Sequence, residues 1–210
     1  MDLREQRGME TEVYQPAEDS ELLAEAACSQ LSKRGREGPD ATILEVGTGS
    51  GYVANRVADE TGARVIASDL NPHAVRQARS EGSEESSEKG TGRSGAVETV
   101  RADLVSPFAD DTFDAVLFNP PYLPTEPENE WDDWMEHALS GGEDGRAVID
   151  PFLASVGRVL APDGVVYLLV SSLTGVDEVV ERAGEEGFSA VAIADESFPF
   201  ETLTVLELHY

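Results

Sequence analysis

The chain has 210 residues, of which 40% are hydrophobic, and its 42 acidic against 15 basic side chains give a formal net charge of −27 at pH 7. This length predicts one domain, residues 1–210, with a full core, and the lack of an apolar run near the ~20 residues that cross a bilayer excludes a membrane-spanning helix. Such an acidic surface repels phosphates, which disfavours bare nucleic acid as a partner.

The acidic residues are spread through every segment, and lysine occurs only at Lys33 and Lys89. This distribution is typical of a halophilic protein, since high salt screens the self-repulsion of the surface. An acidic mesophilic protein is the less favoured alternative. The first twelve residues lack the apolar stretch of a signal peptide, and the single cysteine, Cys28, cannot form an internal disulfide. We therefore expect a cytoplasmic protein.

The first predicted element is an N-terminal helical extension over residues 13–33, which begins with the irregular sequence VYQPAEDS. Apolar residues then recur at helical spacing. Glu18, Asp19 and Ser20 fall near the start of this helix, where carboxylates interact favourably with the helix dipole. From the residues alone, their simplest interpretation is helix capping, and Cys28 on the same helix is interpreted as a small core residue.

A run of apolar residues that ends in three alternate glycines, ATILEVGTGSG at 41–51, predicts a strand, a tight turn and the start of a helix. Gly47, Gly49 and Gly51 allow positive φ and the close approach of a ligand, and the helix directs its N-terminus to the same place. Glu45 would repel the pyrophosphate of a dinucleotide. The pattern E-x-G-x-G-x-G therefore favours S-adenosylmethionine over NAD, with a plain strand-to-helix turn as the alternative.

Three further apolar strands each end in a polar side chain, and they cover residues 63–68, 97–102 and 113–118. Ligands of open α/β sheets bind at the carboxyl ends of the strands. Asp69 is placed to accept hydrogen bonds from ribose hydroxyls, and Asp103 with Leu104 suits an adenine amino group and ring. For Asp103 alone, a strand-ending turn is an equal alternative.

The sequence Asn119-Pro120-Pro121-Tyr122 follows the last of these strands and predicts the catalytic site. Two prolines fix the backbone, so the Asn119 side-chain oxygen and the Pro120 carbonyl can converge on one planar NH₂ group, with Tyr122 packed on its plane. An amide or aromatic amino nitrogen is a poor nucleophile, so orientation and electrostatics would carry its methylation without a strong base. The alternative is a rigid turn.

The remaining segments complete an α/β pattern. The low-complexity sequence at 81–95 predicts a mobile surface insertion, and an acidic loop at 126–136 contains Trp131 and Trp134, which form either a pocket lid or a covered hydrophobic spot. The scattered histidines predict no metal site. The C-terminal part predicts two helices and three strands, over residues 146–160, 175–186, 165–171, 190–194 and 202–209.

Eight stretches resemble, in order and over nearly the whole chain, the HemK-type protein-glutamine N5-methyltransferases: VYQPAEDSELL, ILEVGTGSG, SDLNP, DL, FNPPYLP, LSGGEDGRAVIDPFL, LAPDGVVYLLVSS and ETLTVLEL. The likeness is to the short archaeal and eukaryotic branch, which lacks the N-terminal helical domain of the bacterial enzymes. The resemblance implies a Rossmann-like class I methyltransferase fold, α/β, with helices on both faces of a seven-stranded, mostly parallel sheet. Its implied strand order is 3-2-1-4-5-7-6, with the last strand antiparallel.

The resemblance also implies a function and a set of site residues. The expected reaction is methylation of the glutamine in the Gly-Gly-Gln loop of a class 1 peptide-chain release factor, with Asn119 to Tyr122 as the substrate-binding motif. The expected partner is a small zinc-containing activator that adds a strand to the sheet edge near 97–102. The implied S-adenosylmethionine-binding residues are Ser20, Glu45, Gly47, Thr48, Gly49, Gly51, Asp69, Asp103, Leu104 and Asn119.

Three other functions stay open from the sequence. An adenine amino-methyltransferase also uses Asn-Pro-Pro-Tyr, but the charge of −27 and the lack of a target-recognition domain disfavour it. A protein-lysine methyltransferase would use the same pocket, although a charged ammonium must first lose a proton. A non-catalytic S-adenosylmethionine-binding module is disfavoured by the intact tetrapeptide.

Overall fold

The computed structural model of the protein describes residues 13–88, 95–125 and 134–210. The strands in these ranges are β1 (Thr42–Val46), β2 (Arg64–Asp69), β3 (Val97–Arg101), β4 (Phe113–Phe118), β5 (Leu160–Ser171), β6 (Ser189–Ser197) and β7 (Thr202–His209). They form one sheet in the order β3-β2-β1-β4-β5-β7-β6. Strand β7 is antiparallel to both of its neighbours, and the other pairs are parallel. The predicted order and the antiparallel last strand are confirmed.

Helices cover both faces of this sheet, as predicted. The helices are α1 (Glu18–Lys33), α2 (Tyr52–Thr61), α3 (Pro72–Glu88), α4 (Trp134–Leu139), α5 (Ile149–Val156) and α6 (Val176–Glu185), with a 3₁₀ turn at Gly157–Val159. One buried cluster contains side chains of α1 and α2, and a second contains side chains of α5 and α6. Alternate residues of β4 divide between them, with Leu117 in the first and Phe118 in the second, because successive side chains of a strand point to opposite faces.

Strand β5 begins earlier than the sequence predicts. The sequence predicts a helix over 146–160 and a strand over 165–171, whereas β5 begins at Leu160, which already pairs with Phe113 of β4 before the register shifts. Asp163 within this segment has a φ of 64°. The turn-like sequence APDG therefore lies inside the strand as an irregularity instead of preceding it.

Two acidic segments lie partly outside the described residues. The predicted insertion at 81–95 begins as helix, because α3 continues through Glu88, and glutamate is a good helix former. Residues 89–94 of the insertion, and residues 126–133 with Trp131, lie outside the described ranges, so the mobility of the insertion stays a prediction. Among the helices that the structure describes, none has the length and apolar character needed to cross a membrane.

Candidate active site

A cavity of about 520 Å³ lies at the carboxyl ends of the central parallel strands. Its volume is within the range of roughly 300–1,000 Å³ that small-molecule sites occupy. The sequence-predicted residues that line it are Ser20, Glu45, Gly47, Thr48, Gly49, Asp69, Asp103, Leu104, Asn119, Pro120, Pro121 and Tyr122. The fold thus brings the ends of four strands and the start of α1 to one place, as the motif positions predict.

Gly51 is the exception among the predicted cofactor residues, because it does not line the cavity. It has a φ of 92°, and a Cβ atom there would lie 2.9 Å from the Cβ of Ala78 on α3. This glycine therefore allows α2 and α3 to pack closely. Its effect on a bound ligand is indirect, through the position of the turn.

The other two glycines of the turn leave space in the cavity wall. Gly47 has a φ of 67°, and a Cβ there would lie 3.3 Å from Cε2 of Phe118. Gly49 has a φ of 55°, and a Cβ there would lie 3.5 Å from the carbonyl oxygen of Tyr14. A side chain at either position would be strained and would occupy the narrow space between the turn and its neighbours.

The Glu45 carboxyl is buried at the base of the turn, with the residue only 4% exposed. Its Oε2 atom accepts a hydrogen bond of 2.5 Å from the Thr48 hydroxyl. Burial, and to a lesser extent the nearby Asp69, raises the Glu45 pKa to about 8, against the lowering effect of the Thr48 hydrogen bond. Without a cationic ligand, Glu45 is therefore mostly protonated at neutral pH.

The Asp69 carboxylate joins the tip of β2 to the glycine turn. Its Oδ2 accepts a hydrogen bond of 2.9 Å from the Gly49 backbone N–H, and its Oδ1 accepts one of 2.8 Å from the Asn71 N–H. Burial raises the Asp69 pKa while these backbone donors lower it. A carboxylate has about four acceptor positions, so Asp69 keeps acceptor capacity for ligand hydroxyls.

The Asn119 side chain, which lines the cavity, carries an unused acceptor. Its Oδ1 atom is buried and has no hydrogen-bond partner within the described chain. A buried acceptor left unpaired costs about 1–3 kcal/mol, so this position fits a ligand that brings an N–H donor. Pro120 and Pro121 follow immediately and fix the backbone at this point.

Two loops pack against the backbone carbonyl of Tyr122. A Cβ on Gly145 would lie 2.6 Å from the Tyr122 carbonyl oxygen, and the Thr174 hydroxyl lies 3.5 Å from the same oxygen. Leu123 is tied to the segment before α5 by a hydrogen bond of 2.9 Å from the Gly141 N–H to the Leu123 carbonyl. The backbone after the two prolines is thus fixed by close packing.

The cavity residues that were not identified as site residues from the sequence include Tyr14, Asp19 and Glu201. The Tyr14 hydroxyl donates a hydrogen bond of 3.0 Å to Asp19 Oδ2, and the Ser171 hydroxyl donates one of 2.8 Å to Glu201 Oε2. Burial, followed by the negative charges of Asp19 and Glu201, raises the Tyr122 pKa. These side chains therefore surround Tyr122 at one end of the cavity.

The interpretation of Glu18, Asp19 and Ser20 as the helix start holds for position, since the two carboxylates lie in the first turn of α1, but it is incomplete for Asp19. The N-cap residue is Ala17, which makes no side-chain capping hydrogen bond, and Asp19 is only 4% exposed and faces the cavity. Its Oδ1 accepts a hydrogen bond of 2.6 Å from the Ser20 N–H. The signal available in the sequence was the motif VYQPAEDS itself, in which Asp19 serves the cavity wall in addition to the helix start.

Trp134, at the start of α4, also lines the cavity, while Trp131 lies outside the described residues. Whether the two form a lid stays a prediction. No group of three or more His, Cys, Asp or Glu side chains suited to a metal ion occurs in the part of the chain that the structure describes.

The sheet order together with this cavity defines a class I methyltransferase that uses S-adenosylmethionine. In agreement, the family described as "Methyltransferase domain" matches residues 44–120. The chain is 33% identical over 195 residues to a Methanocaldococcus jannaschii protein assigned as a protein N5-glutamine methyltransferase. This match covers 93% of the present chain and 90% of the relative. The chain therefore belongs to the HemK-type protein N5-glutamine methyltransferases.

Two further comparisons agree with this family. The human methyltransferase HEMK2 is 32% identical over 211 residues, covering 96% of this chain and 91% of the relative. Among solved structures, the E. cuniculi Mtq2-Trm112 complex, which methylates the translation termination factor eRF1, contains a chain that matches with a TM-score of 0.68 and 28% identity. That match covers 95% of this chain and 99% of the other.

Proposed function

We propose that this enzyme methylates the side-chain amide nitrogen of the glutamine in the Gly-Gly-Gln loop of a peptide-chain release factor. The observation that carries the proposal is the buried Asn119 Oδ1, an acceptor without a partner at the end of β4. A primary amide is a neutral group with two N–H donors in one plane, which suits such an acceptor. The relationship to proteins named for glutamine methylation supports the same substrate group.

In this proposal, Asn119 and Pro120 act on the reacting nitrogen. The Asn119 Oδ1 and the Pro120 carbonyl each accept one N–H of the amide, which fixes its plane and draws positive charge away from the nitrogen as its bond to the methyl group forms. The bond between this methyl group and the sulfonium sulfur would break at the same time and leave a neutral thioether, and the methylated nitrogen would release one of its two protons to solvent. Pro121 keeps this backbone rigid. Tyr122 packs on the amide plane, and its raised pKa keeps the phenol neutral and protonated at physiological pH.

S-adenosylmethionine, when bound, supplies an electrophilic methyl group on a sulfonium. The glycine turn provides a surface without side chains for it, and the Asp69 carboxylate accepts hydrogen bonds from its ribose hydroxyls. Asp103 and Leu104 would contact the adenine. The buried Glu45 carboxyl, which is protonated without a ligand, would lose its proton more readily beside a positively charged ligand and would then add a compensating negative charge. The proposed cofactor set is Ser20, Glu45, Gly47, Thr48, Gly49, Asp69, Asp103, Leu104 and Asn119.

We further propose a small zinc-containing activator subunit that pairs with β3. This strand is an edge of the sheet, and Val97 and Val100 are only half-buried there. The Thr99 hydroxyl on the same strand is buried and has no partner within the described chain. A strand added by a partner would cover this edge, and the solved E. cuniculi relative is itself a complex with Trm112.

The proposed location is the cytoplasm, where release factors act, and the charge of −27 suits a cell with high internal salt. The direct test is mass spectrometry of release factor after incubation with the enzyme, the activator subunit and S-adenosylmethionine. One added methyl group is expected on the Gly-Gly-Gln peptide, and none when that glutamine is replaced by alanine. Methylation of lysine or of adenine in duplex DNA, with the glutamine unmodified, would contradict the proposal.

A further inference from the structure

We infer that Leu123, Leu173 and Phe200 form an apolar rim around the substrate entrance and bind the substrate protein beside the methylated side chain. This inference rests on the proposed protein substrate. The three residues are 36%, 45% and 94% exposed. Exposed apolar residues that occur together beside a cavity, unlike those that occur singly, indicate an interaction site.

Two of the three rim residues are placed by direct continuity with the cavity wall. Leu123 lines the cavity itself and follows Tyr122. Phe200 precedes Glu201, which also lines the cavity and is one of the charges that raise the Tyr122 pKa. Both are therefore next in sequence to cavity residues on the side of the cavity that holds Tyr122.

Leu173 is brought to the same side by the loop after β5. The next residue, Thr174, has its hydroxyl 3.5 Å from the Tyr122 carbonyl. The preceding residue, Ser172, donates its N–H to the Thr202 carbonyl across 2.8 Å and accepts the Thr202 N–H on its hydroxyl across 2.9 Å. This pair of bonds joins the loop after β5 to the turn between β6 and β7.

The turn that carries Phe200 is well ordered by its own hydrogen bonds. Phe198 donates its N–H to the Glu201 carbonyl across 2.7 Å, and the Phe198 side chain packs against the first buried cluster. The hydroxyls of Ser197 and Thr202 lie 3.2 Å apart across the turn. Phe200 is thus held outward on a fixed backbone, which lowers the entropic cost of binding through an aromatic side chain.

The length of a glutamine side chain identifies the occupant of this rim. Four bonds of about 1.5 Å separate its Cα from the amide nitrogen, a reach of roughly 5 Å. When that nitrogen lies at Asn119 and Tyr122, the substrate backbone must lie at the mouth of the cavity. Substrate residues on either side of the Gly-Gly-Gln loop are then in position to contact Leu123, Leu173 and Phe200, which are apolar in a chain of net charge −27.

The test compares Phe200→Ser and Leu173→Ser with a matched control, Val191→Ser. Val191 is 53% exposed but lies on β6 opposite Glu207, toward the other end of the strand from the Ser197–Thr202 pair. Steady-state methylation of release factor is measured with the activator subunit present and with saturating cofactor, and cofactor affinity is measured separately. We expect KM for release factor to rise about tenfold in each rim variant, as for a central interface residue, with kcat and cofactor affinity unchanged. Val191→Ser should match the wild type.

The outcomes separate the rim from the proposed function. If the wild type methylates release factor and both rim variants keep its KM, the rim inference alone is overturned. If the wild type leaves release factor unmodified, the proposed function fails and the rim inference falls with it. Sedimentation of the free enzyme measures self-association as a further test. If Phe200→Ser abolishes self-association without changing KM, the rim binds a second copy of the chain and the inference is overturned.

Discussion

The Gly49 backbone N–H donates a hydrogen bond of 2.9 Å to the Asp69 carboxylate. One carboxylate thus fixes the glycine turn after β1 and also presents acceptor positions to the cavity. The shape of the turn and the recognition of ligand hydroxyls consequently depend on the same side chain, so a change at Asp69 affects both.

Replacing Asp69 with alanine should weaken S-adenosylmethionine binding at least tenfold, because both the turn and the acceptors for hydroxyls are lost. A hydrogen bond to a charged group contributes about 1.5–3 kcal/mol, and the loss of this free energy corresponds to an affinity at least tenfold weaker. Calorimetric titration measures it, with NAD as the ligand expected not to bind. The exposed Asp195 on β6 provides the control Asp195→Ala, and equal affinities in the two variants would contradict the assignment.

Glu45 predicts a pH dependence of stability in the cofactor-free enzyme. Its folded pKa is raised from 4.5 to about 8, so between these values the folded state keeps a proton that the unfolded state has lost. The free energy of unfolding should therefore fall as pH rises from about 4.5 to 8, by up to about 1.4 kcal/mol per pH unit from this group.

Urea unfolding of the wild type and Glu45→Gln at pH 5, 6.5 and 8 measures this contribution. The wild type should lose stability relative to the variant as pH rises, since glutamine keeps the neutral form and the Thr48 hydrogen bond at every pH. Glu196→Gln, at an exposed position on β6, should run parallel to the wild type. A constant difference between wild type and Glu45→Gln across the range would show that Glu45 does not titrate there.

The strand ends were predictable because their signal is local. Asp69, Asp103 and Asn119 each follow a predicted strand, and parallel strands bring such positions to one edge. Gly47 and Gly49 were predictable for the same reason, since alternate glycines mark a turn with positive φ. Gly51 carries the same sequence signal, but its missing Cβ serves the packing of α2 on α3, which periodicity cannot distinguish from ligand contact.

The residues that were not predicted reach the cavity from distant parts of the chain. Glu201 stands before β7, and only the antiparallel pairing of β7 with β5 brings it next to Tyr122. Asp19 lies at a helix start, where capping explains a carboxylate equally well. The early start of β5 at Leu160 was hidden by a turn-forming sequence that the sheet accommodates as an irregularity.

Gly145→Ala should reduce turnover because the added methyl group displaces the backbone of Tyr122. The added Cβ would lie 2.6 Å from the Tyr122 carbonyl oxygen, and Gly145 has a φ of 76°, so the backbone must shift and stability should fall by about 1–3 kcal/mol. Turnover should fall while cofactor affinity holds, since the atoms nearest the added Cβ belong to Tyr122 and Thr174.

The matched control is Gly184→Ala on α6, where an added Cβ meets no atom within 4 Å. This variant should gain up to about 0.5–1 kcal/mol, because alanine is favoured over glycine within a helix. Urea unfolding and steady-state kinetics measure both variants. Wild-type turnover in a folded Gly145→Ala enzyme would remove the loop from any role in positioning Tyr122.

Substitution of Asn119 distinguishes most directly between an effect on cofactor binding and an effect on methyl transfer. Its Oδ1 has no partner within the described chain, so Asn119→Ala leaves no other protein group unpaired and should lower cofactor affinity far less than turnover. If the oxygen orients the amide nitrogen and stabilises its developing charge, turnover should fall by about 10²–10³, as when an oriented hydrogen-bonding group is removed from other active sites. Asn119→Asp keeps an acceptor oxygen but adds a negative charge that stabilises the sulfonium before reaction, so turnover should fall there as well. Single-turnover methylation of release factor, with a cofactor titration for each variant, measures both effects, and undiminished methyl transfer by Asn119→Ala would reduce the Asn-Pro-Pro-Tyr sequence to a rigid turn.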